Sequence, residues 1–295
     1  MNIKRVAKVA SGQDVTIYGG YLFDFIDRDE RGNCAVYEME SIRGAGGEEP
    51  EPICRFRLDK RELISTHNNA VFFGKEFYEE GDEFPILYSN VYNNYQRCEE
   101  RHEGELCAYR LTKDGNEFKT ELVQIIKIGF VEDVSLWKSA PGTVDVRPYG
   151  NFAMNTESGE LYAFVMRDAT NTTRYFAFDA PSVREGEVDG YYGVRKRVIS
   201  ASEIKYSFDL EYHKGIQGAC VHDGMIYSVE GGCLGHAKTA ALRIVDPKSK
   251  AQAAYISLAD YGITAEPEGV VFDKDVCYYV AGHGDTYVLE DLKNV

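Results

Sequence analysis

Five polar side chains stand at equivalent points of the chain, each at the head of a segment with a similar order of residue types. They are Gln13, His67, Asn151, Gln217 and Glu268. The pattern is clearest in QGACVHDGMIYSV and EGVVFDKDVCYYV, where a glycine, an apolar stretch, an Asp-containing turn and an aromatic-rich strand follow the polar residue. Amides and carboxylates bind ligands by hydrogen bonds, and a histidine beside a carboxylate can move protons. Brought together, these side chains would form a polar site.

The repetition itself predicts the elements that would position them. QDVTIYGGYLFDF, HNNAVFFGKEF and NFAMNTESGELYAFV open in a similar way to the two clearest copies. Several short strands per unit, repeated around the chain, are typical of a β-propeller. Long helical periodicity is missing between the strands, which argues against a parallel α/β fold. We therefore predict an all-β fold, a propeller of five blades with four antiparallel strands each.

The blades are expected within a single domain, residues 1–295. Their approximate bounds are 13–64, 65–135, 143–210, 213–262 and 266–295 plus 1–12. The last unit lacks an outer strand, and the strand-like IKRVAKVA precedes the first unit. We expect the N-terminal strand to complete the C-terminal blade, which removes the exposed edges of an open ring.

A six-bladed propeller is the alternative, and it depends on residues 183–212. This stretch would have to form a blade of its own. We instead interpret VRKRVIS and IKYSFDL as outer-strand and connecting material of the third blade.

In a propeller the first strand of every blade lines the central channel, so the opening residues should converge at one rim. Their neighbours Asn68, Asn69 and Glu266, together with Asp14, should lie close by. The predicted ligand-binding residues are Gln13, Asn68, Asn69, Asn151, Gln217 and Glu266. The predicted catalytic residues are Glu268, as acid, base or metal ligand, and His67, as its assistant.

A structural interpretation of the same residues stays open. Gly218 and Gly269 would let neighbouring first strands approach closely, and the polar residues before them would then only satisfy backbone groups. Glu266 and Glu268 are two residues apart, so both carboxylates point to the same side if the strand continues through Pro267.

Composition restricts the partners and the compartment. The net charge of −15 disfavours nucleic acid and anionic membrane surfaces as partners. Seven cysteines without a CxxC pair indicate a reducing compartment. The N-terminus has no apolar segment typical of a signal peptide. We therefore expect a cytoplasmic protein, with a trimmed secreted form as the alternative.

The QG…DGMIYSVEGG and EPEGVVFD segments, within residues 213–295, resemble bacterial propellers of the teichoic-acid-biosynthesis-protein-like and gluconolactonase-like groups. The resemblance implies a propeller with a site in its central channel. Gluconolactonase-type enzymes hold a divalent metal with acidic and amide groups, parts that Glu268 and Asn151 could play here. The cofactor is unknown from the sequence, and a divalent cation in the central channel is what the resemblance suggests.

Three functions follow from these observations. The first is binding of a small molecule or saccharide at the polar rim. The second is a hydrolase of the glycosidase or lactonase type, with a channel carboxylate and metal assistance. The third is a protein-interaction scaffold with an inert channel. No motif specific to one reaction, such as GxSxG, GxxxxGK[ST] or HExxH, is present to choose among them.

Overall fold

The structure is a computed structural model of the chain. It describes residues 1–10, 12–26, 33–64, 68–91, 104–129, 146–167, 172–211, 215–232 and 240–292.

Strands account for most of the described secondary structure. They are β1 (Asn2–Lys8), β2 (Asp14–Tyr18), β3 (Tyr21–Ile26), β4 (Asn33–Glu38), β5 (Cys54–Arg57), β6 (Val71–Phe73), β7 (Leu87–Val91), β8 (Glu105–Asp114), β9 (Glu117–Ile128), β10 (Val146–Asn155), β11 (Glu160–Arg167), β12 (Thr172–Asp179), β13 (Glu187–Val188), β14 (Arg195–Ile199), β15 (Tyr206–Glu211), β16 (Ile216–His222), β17 (Met225–Glu230), β18 (Ala241–Asp246), β19 (Ala251–Ser257), β20 (Pro267–Asp273), β21 (Val276–Ala281) and β22 (Asp285–Glu290). The helical segments are α1 (Met39–Gly44) and the 3₁₀ turns Ala201–Glu203, Ala259–Tyr261 and Gly282–Gly284. None of the described helices is long and apolar enough to cross a membrane.

The strands form five sheets in a ring, so the chain is a five-bladed β-propeller. Blade 1 is β2-β3-β4-β5, blade 3 is β10-β11-β12-β15, blade 4 is β16-β17-β18-β19 and blade 5 is β20-β21-β22-β1. Blade 2 has the order β6-β7-β8-β9-β14-β13. The prediction of five blades with four antiparallel strands as the basic unit is confirmed, and so is the propeller fold that the family resemblance implied.

Ring closure also follows the prediction. The N-terminal strand β1 pairs with β22 in antiparallel register, from Asn2 opposite Glu290 to Lys8 opposite Asp285. The backbone N–H of Val9 continues this pairing by donating to the carbonyl of Gly284 at 2.8 Å. The first strand of the chain therefore completes the last blade and covers its edge.

The segment between β12 and β15 was only half predicted. IKYSFDL contains β15, the outer strand of blade 3, as expected. VRKRVIS, however, contains β14, which leaves blade 3 and pairs in parallel with β9 of blade 2. The carboxylate of Glu105, fully buried in β8, holds the segment that contains β14 against blade 2. It lies 3.1 Å from the Lys196 ammonium and accepts a hydrogen bond from the Tyr192 hydroxyl at 3.1 Å.

Tight turns explain the clean hairpins of the blades. Between β16 and β17, Asp223 and Gly224 have φ angles of 49° and 73°. Two consecutive positive φ values are what a two-residue type I′ hairpin requires, and Asp-Gly is a preferred pair for it.

The hydrophobic core lies between neighbouring blades. Between blades 1 and 2, Phe23 packs edge-on against Phe73 and Phe118, with ring centroids 5.3 and 5.6 Å apart. Around the axis the first strands touch one another: β2 contacts β6 and β20, and β16 contacts β10 and β20. This packing brings the opening residues of blades 1, 3, 4 and 5 to the axis.

Candidate functional site

Polar side chains from all five blades meet at one end of the axis. We call Gln13, Asn69, Asn151, Gln217, Glu266 and Glu268 the polar ring. Gln13, Asn69 and Glu266 precede β2, β6 and β20. Asn151 lies within β10, Gln217 within β16 and Glu268 within β20.

Gln217 is the centre of this ring and joins four blades. Its side-chain N–H donates to Glu266 Oε1 at 2.7 Å, and its Oε1 accepts a hydrogen bond from the Asn69 amide. Its main-chain carbonyl accepts from the Asn151 amide. The side chains of Asn69, Asn151 and Gln217 are all buried. The sequence predicted that these residues converge. It could not predict that a main-chain carbonyl would accept one of the hydrogen bonds, because every residue type has that group.

A second pair completes the ring. The Gln13 amide donates to Glu268 Oε2 at 2.9 Å and so links blade 1 to blade 5. Glu266 and Glu268 each accept an amide N–H from a glutamine, and both approach Gly282. A Cβ placed on Gly282 would be 3.6 Å from the Cβ of Glu266 and 3.6 Å from Glu268 Oε1. Both glutamates therefore lie next to Gly282, and the pairing of β20 with β21 shifts register between Pro267 and Gly269.

Two buried amide atoms of the site make no hydrogen bond within the described part of the chain. They are Nδ2 of Asn68 and Oδ1 of Asn69. Asn68 has a φ of 60° and uses its Oδ1 to accept from the Ser89 hydroxyl at 2.6 Å. An unsatisfied buried polar atom costs about 1–3 kcal/mol. One donor and one acceptor are thus left for a ligand or for water.

Asp14 is a buried carboxylate next to the polar ring, where first strands of neighbouring blades meet. It is 1% exposed, and it accepts hydrogen bonds from the backbone N–H groups of Val15 at 2.8 Å and Val71 at 2.9 Å. Burial raises the pKa of Asp14 well above its usual range, although the two backbone hydrogen bonds lower it. The sequence placed Asp14 near the rim only as a neighbour of Gln13.

The glycines that follow Gln217 and Glu268 allow the first strands to approach each other closely beside Asp14. A Cβ on Gly218 would lie 2.5 Å from Asp14 Oδ1, and a Cβ on Gly269 would lie 2.6 Å from the same atom. The close approach of first strands, expected as the structural role of both glycines, is therefore present. In both strands, a residue of the polar ring is therefore followed directly by a glycine that the packing requires.

The ring offers oxygen donors of the kind that hard divalent cations bind. They are the Glu266 and Glu268 carboxylates and the unpartnered Oδ1 of Asn69. In the described ranges these two glutamates are not joined by a third His, Cys, Asp or Glu ligand. A cation held here would therefore need amide or other neutral oxygens in addition to the two carboxylates.

Tyr279 adds a hydroxyl close to the ring. Its side chain is fully buried, and its hydroxyl has no hydrogen-bond partner among the described residues. Burial, together with the negative charge of Glu268, raises its pKa well above the usual range. Tyr279 therefore stays protonated and can donate a hydrogen bond. From the hydrophobic strand sequence VCYYVA alone, Tyr279 could not be distinguished from an ordinary core tyrosine.

His67, the predicted catalytic assistant, lies outside the described residues, and its role stays a prediction. The roles of Gln13, Asn68, Asn69, Asn151, Gln217, Glu266 and Glu268 in binding or catalysis likewise stay predictions, although the structure places them together.

No protein-family model matches the chain, and no curated protein matches it in sequence. Among solved structures it is similar to Sqt1 of Saccharomyces cerevisiae, with 6% identity and a TM-score of 0.36, over 91% of this chain and 54% of that chain. It is also similar to the Dos1 propeller, with 9% identity and a TM-score of 0.35, over 94% of this chain and 56% of that chain. A third similar structure is a putative oxidoreductase (glucose dehydrogenase) from Thermus thermophilus, with 9% identity and a TM-score of 0.47, over 97% of this chain and 98% of that chain.

The chain spans little more than half the length of the Sqt1 and Dos1 structures. These likenesses concern overall shape and carry no activity over to this chain. The five-bladed propeller is established by the strand pairing of the chain itself.

Proposed function

We propose that the polar ring binds a small, hydroxyl-rich molecule, such as a saccharide, at the mouth of the central channel. The observation that carries this proposal is the unpartnered buried Asn69 Oδ1 within a ring of amides and carboxylates, followed by the unpartnered Nδ2 of the adjacent residue Asn68. A sugar hydroxyl can accept from one such group and donate to the other.

Charge supports a neutral ligand. The polar ring contains two carboxylates and no cationic side chain, and the whole chain has a net charge of −15. Phosphate backbones and anionic lipid headgroups would be repelled. We therefore propose neither nucleic acid nor membrane as a partner.

Gln217→Ala is expected to weaken saccharide binding at least ten-fold. The substitution removes the side chain that holds Asn69 and Glu266, so both lose their positions toward the ligand. The measurement is isothermal titration calorimetry of the full chain with glucose, N-acetylglucosamine and maltotriose.

Gln252→Ala serves as the matched control, because Gln252 is exposed on the outer strand β19. Gln13→Ala provides a second variant in case Gln217→Ala fails to fold, since the Gln13 amide donates to Glu268 and does not link several blades among the described residues. If the wild type binds none of the three saccharides, or if both ring variants bind as the wild type does, the proposal is wrong.

A hydrolase is the second candidate, and the presence of two carboxylates in the polar ring, Glu266 and Glu268, supports it. Glycoside hydrolysis uses two carboxyl groups, one as acid and the other as base or nucleophile. His67 stays the proposed assistant.

For this candidate we expect Glu268→Gln to lower turnover of p-nitrophenyl glycosides or of gluconolactone at least a hundred-fold. The fold should persist, because a glutamine carbonyl can still accept from Gln13. The exposed Glu187→Gln is the control. Absence of turnover by the wild type would leave ligand binding as the function, whereas full activity of Glu268→Gln would remove Glu268 from the reaction.

A further inference from the structure

A cluster of histidine and aspartate side chains lies at the end of β16 and β20 that is opposite the polar ring. β16 runs from near Gln217 to His222, and β20 runs from near Glu268 to Asp273. The hairpin turns after these strands contribute Asp223 in blade 4 and Asp275 in blade 5. One nitrogen of His222 and one oxygen of each aspartate all lie within 4.8 Å of one another.

Packing fixes the His222 imidazole in this position. Its ring stacks face to face on Phe272 of blade 5, with centroids 4.0 Å apart and planes at 6°. Only 19% of the His222 side chain is exposed. An imidazole clamped between two blades keeps its ring nitrogens in a constant direction.

The Nε2 atom of His222 is buried and makes no hydrogen bond in the described part of the chain. It lies 3.7 Å from Asp223 Oδ2 and 3.9 Å from Asp275 Oδ1. Both distances are too long for a hydrogen bond. They are close to the spacing of two ligands on one tetrahedral metal, which is about 3.4 Å for bonds of about 2.1 Å.

We propose that His222, Asp223 and Asp275 bind a Zn²⁺ ion that links the hairpin turns of blades 4 and 5. One imidazole with two carboxylates is a donor set that zinc accepts in tetrahedral geometry, with water in the fourth position. Calcium and magnesium prefer oxygen ligands alone, so the buried imidazole nitrogen favours zinc over both. The site is separate from the polar ring and does not depend on the function proposed for it.

The test is calorimetric titration of the full chain with ZnCl₂ at pH 7.5. We expect wild type and the control His283→Ala to bind with equal affinity, because His283 is exposed on a different turn. His222→Phe preserves a ring for stacking on Phe272 but removes the nitrogen, and it should weaken zinc binding at least ten-fold. Asp275→Asn should weaken it about five-fold or more. The melting temperature of the wild type should rise on adding zinc, because a ligand of the native state stabilises it.

Circular dichroism of the metal-free variants shows whether each is folded. If His222→Phe is unfolded, Asp275→Asn decides, since its side chain is 77% exposed and its loss leaves the core unchanged. The proposal is overturned if the wild type does not bind zinc or if the folded variants bind zinc as tightly as the wild type. A preference for CaCl₂ over ZnCl₂ in the wild type would overturn it as well.

Discussion

Gly218→Ala is expected to destabilise the protein by about 3 kcal/mol, because overpacking of a filled site costs about 1–3 kcal/mol and here the obstacles cannot move aside. A Cβ at this position would lie 2.5 Å from the buried Asp14 carboxylate and 2.8 Å from the Cα of Gly269, and it would also meet the carbonyl oxygen of Glu268. Two of these atoms are backbone, and the third belongs to a carboxylate whose two oxygens each accept a hydrogen bond from a backbone N–H group. The first strands of blades 4, 5 and 1 would have to separate.

The free energy of unfolding, measured by urea denaturation, tests this expectation. Gly44→Ala is the control, since a Cβ there has no atom within 4 Å and Gly44 ends helix α1. Alanine favours a helix over glycine, so this variant should be unchanged or slightly more stable. Equal stabilities of Gly218→Ala and the wild type would show that the first strands do not approach as closely as described.

Residue types predicted the ring of blades well because the information is local. Asp223-Gly224 specifies a hairpin by its own backbone preferences, whatever surrounds it. The missing outer strand of the last unit and the spare strand before the first unit predicted the pairing of β1 with β22 in the same way. Both follow from strand count and turn chemistry.

Non-local contacts that follow neither from the repeat nor from the strand count could not be predicted from the sequence. The parallel pairing of β14 with β9 depends on a buried Glu105 that attracts Lys196, a contact across many residues of chain. The stacking of His222 on Phe272 joins two blades and has no spacing rule. Whether such residues form ion pairs or stack on a neighbour depends on their burial. Burial at a blade interface depends in turn on how the sheets pack.

The candidate site falls between these cases. The repeat placed Gln217 and Glu268 at the axis, because equivalent positions of equivalent units must converge in a ring. It did not indicate that Gln217 would hold three neighbours or that Asp14 would contact the first strands of three other blades. These roles depend on side-chain reach across the axis, which residue types alone do not give.

Arg243→Met is expected to cost about 3–5 kcal/mol at pH 8, because it removes one partner of a buried ion pair and leaves the other charge without compensation. Arg243 and Glu230 are both fully buried, and Arg243 Nε lies 3.0 Å from Glu230 Oε1. Arg243 also donates from Nη2 to the carbonyl of Glu211 at 2.6 Å, which ties blade 4 to blade 3.

The cost should depend on pH in a definite direction. Burial raises the pKa of Glu230 to about 7, even though the charge of Arg243 lowers it. A carboxyl group with a raised native pKa stabilises the fold below its usual pKa, and this contribution is lost as the pH rises through the native value. Without Arg243 the native pKa must rise further, so Glu230 takes up a proton at pH 5 and the penalty shrinks. Urea denaturation at pH 5 and pH 8 should therefore show a larger loss at pH 8.

The double variant Arg243→Met/Glu230→Leu separates the lost pair from lost packing. Replacing both partners of a buried ion pair by apolar residues of similar volume is often neutral or stabilising, so the double variant should recover most of the stability at pH 8. The same loss at both pH values, or a double variant as unstable as Arg243→Met, would show that Arg243 acts through packing and its bond to Glu211. In that case the charge of Glu230 would not explain how the free energy of unfolding depends on pH.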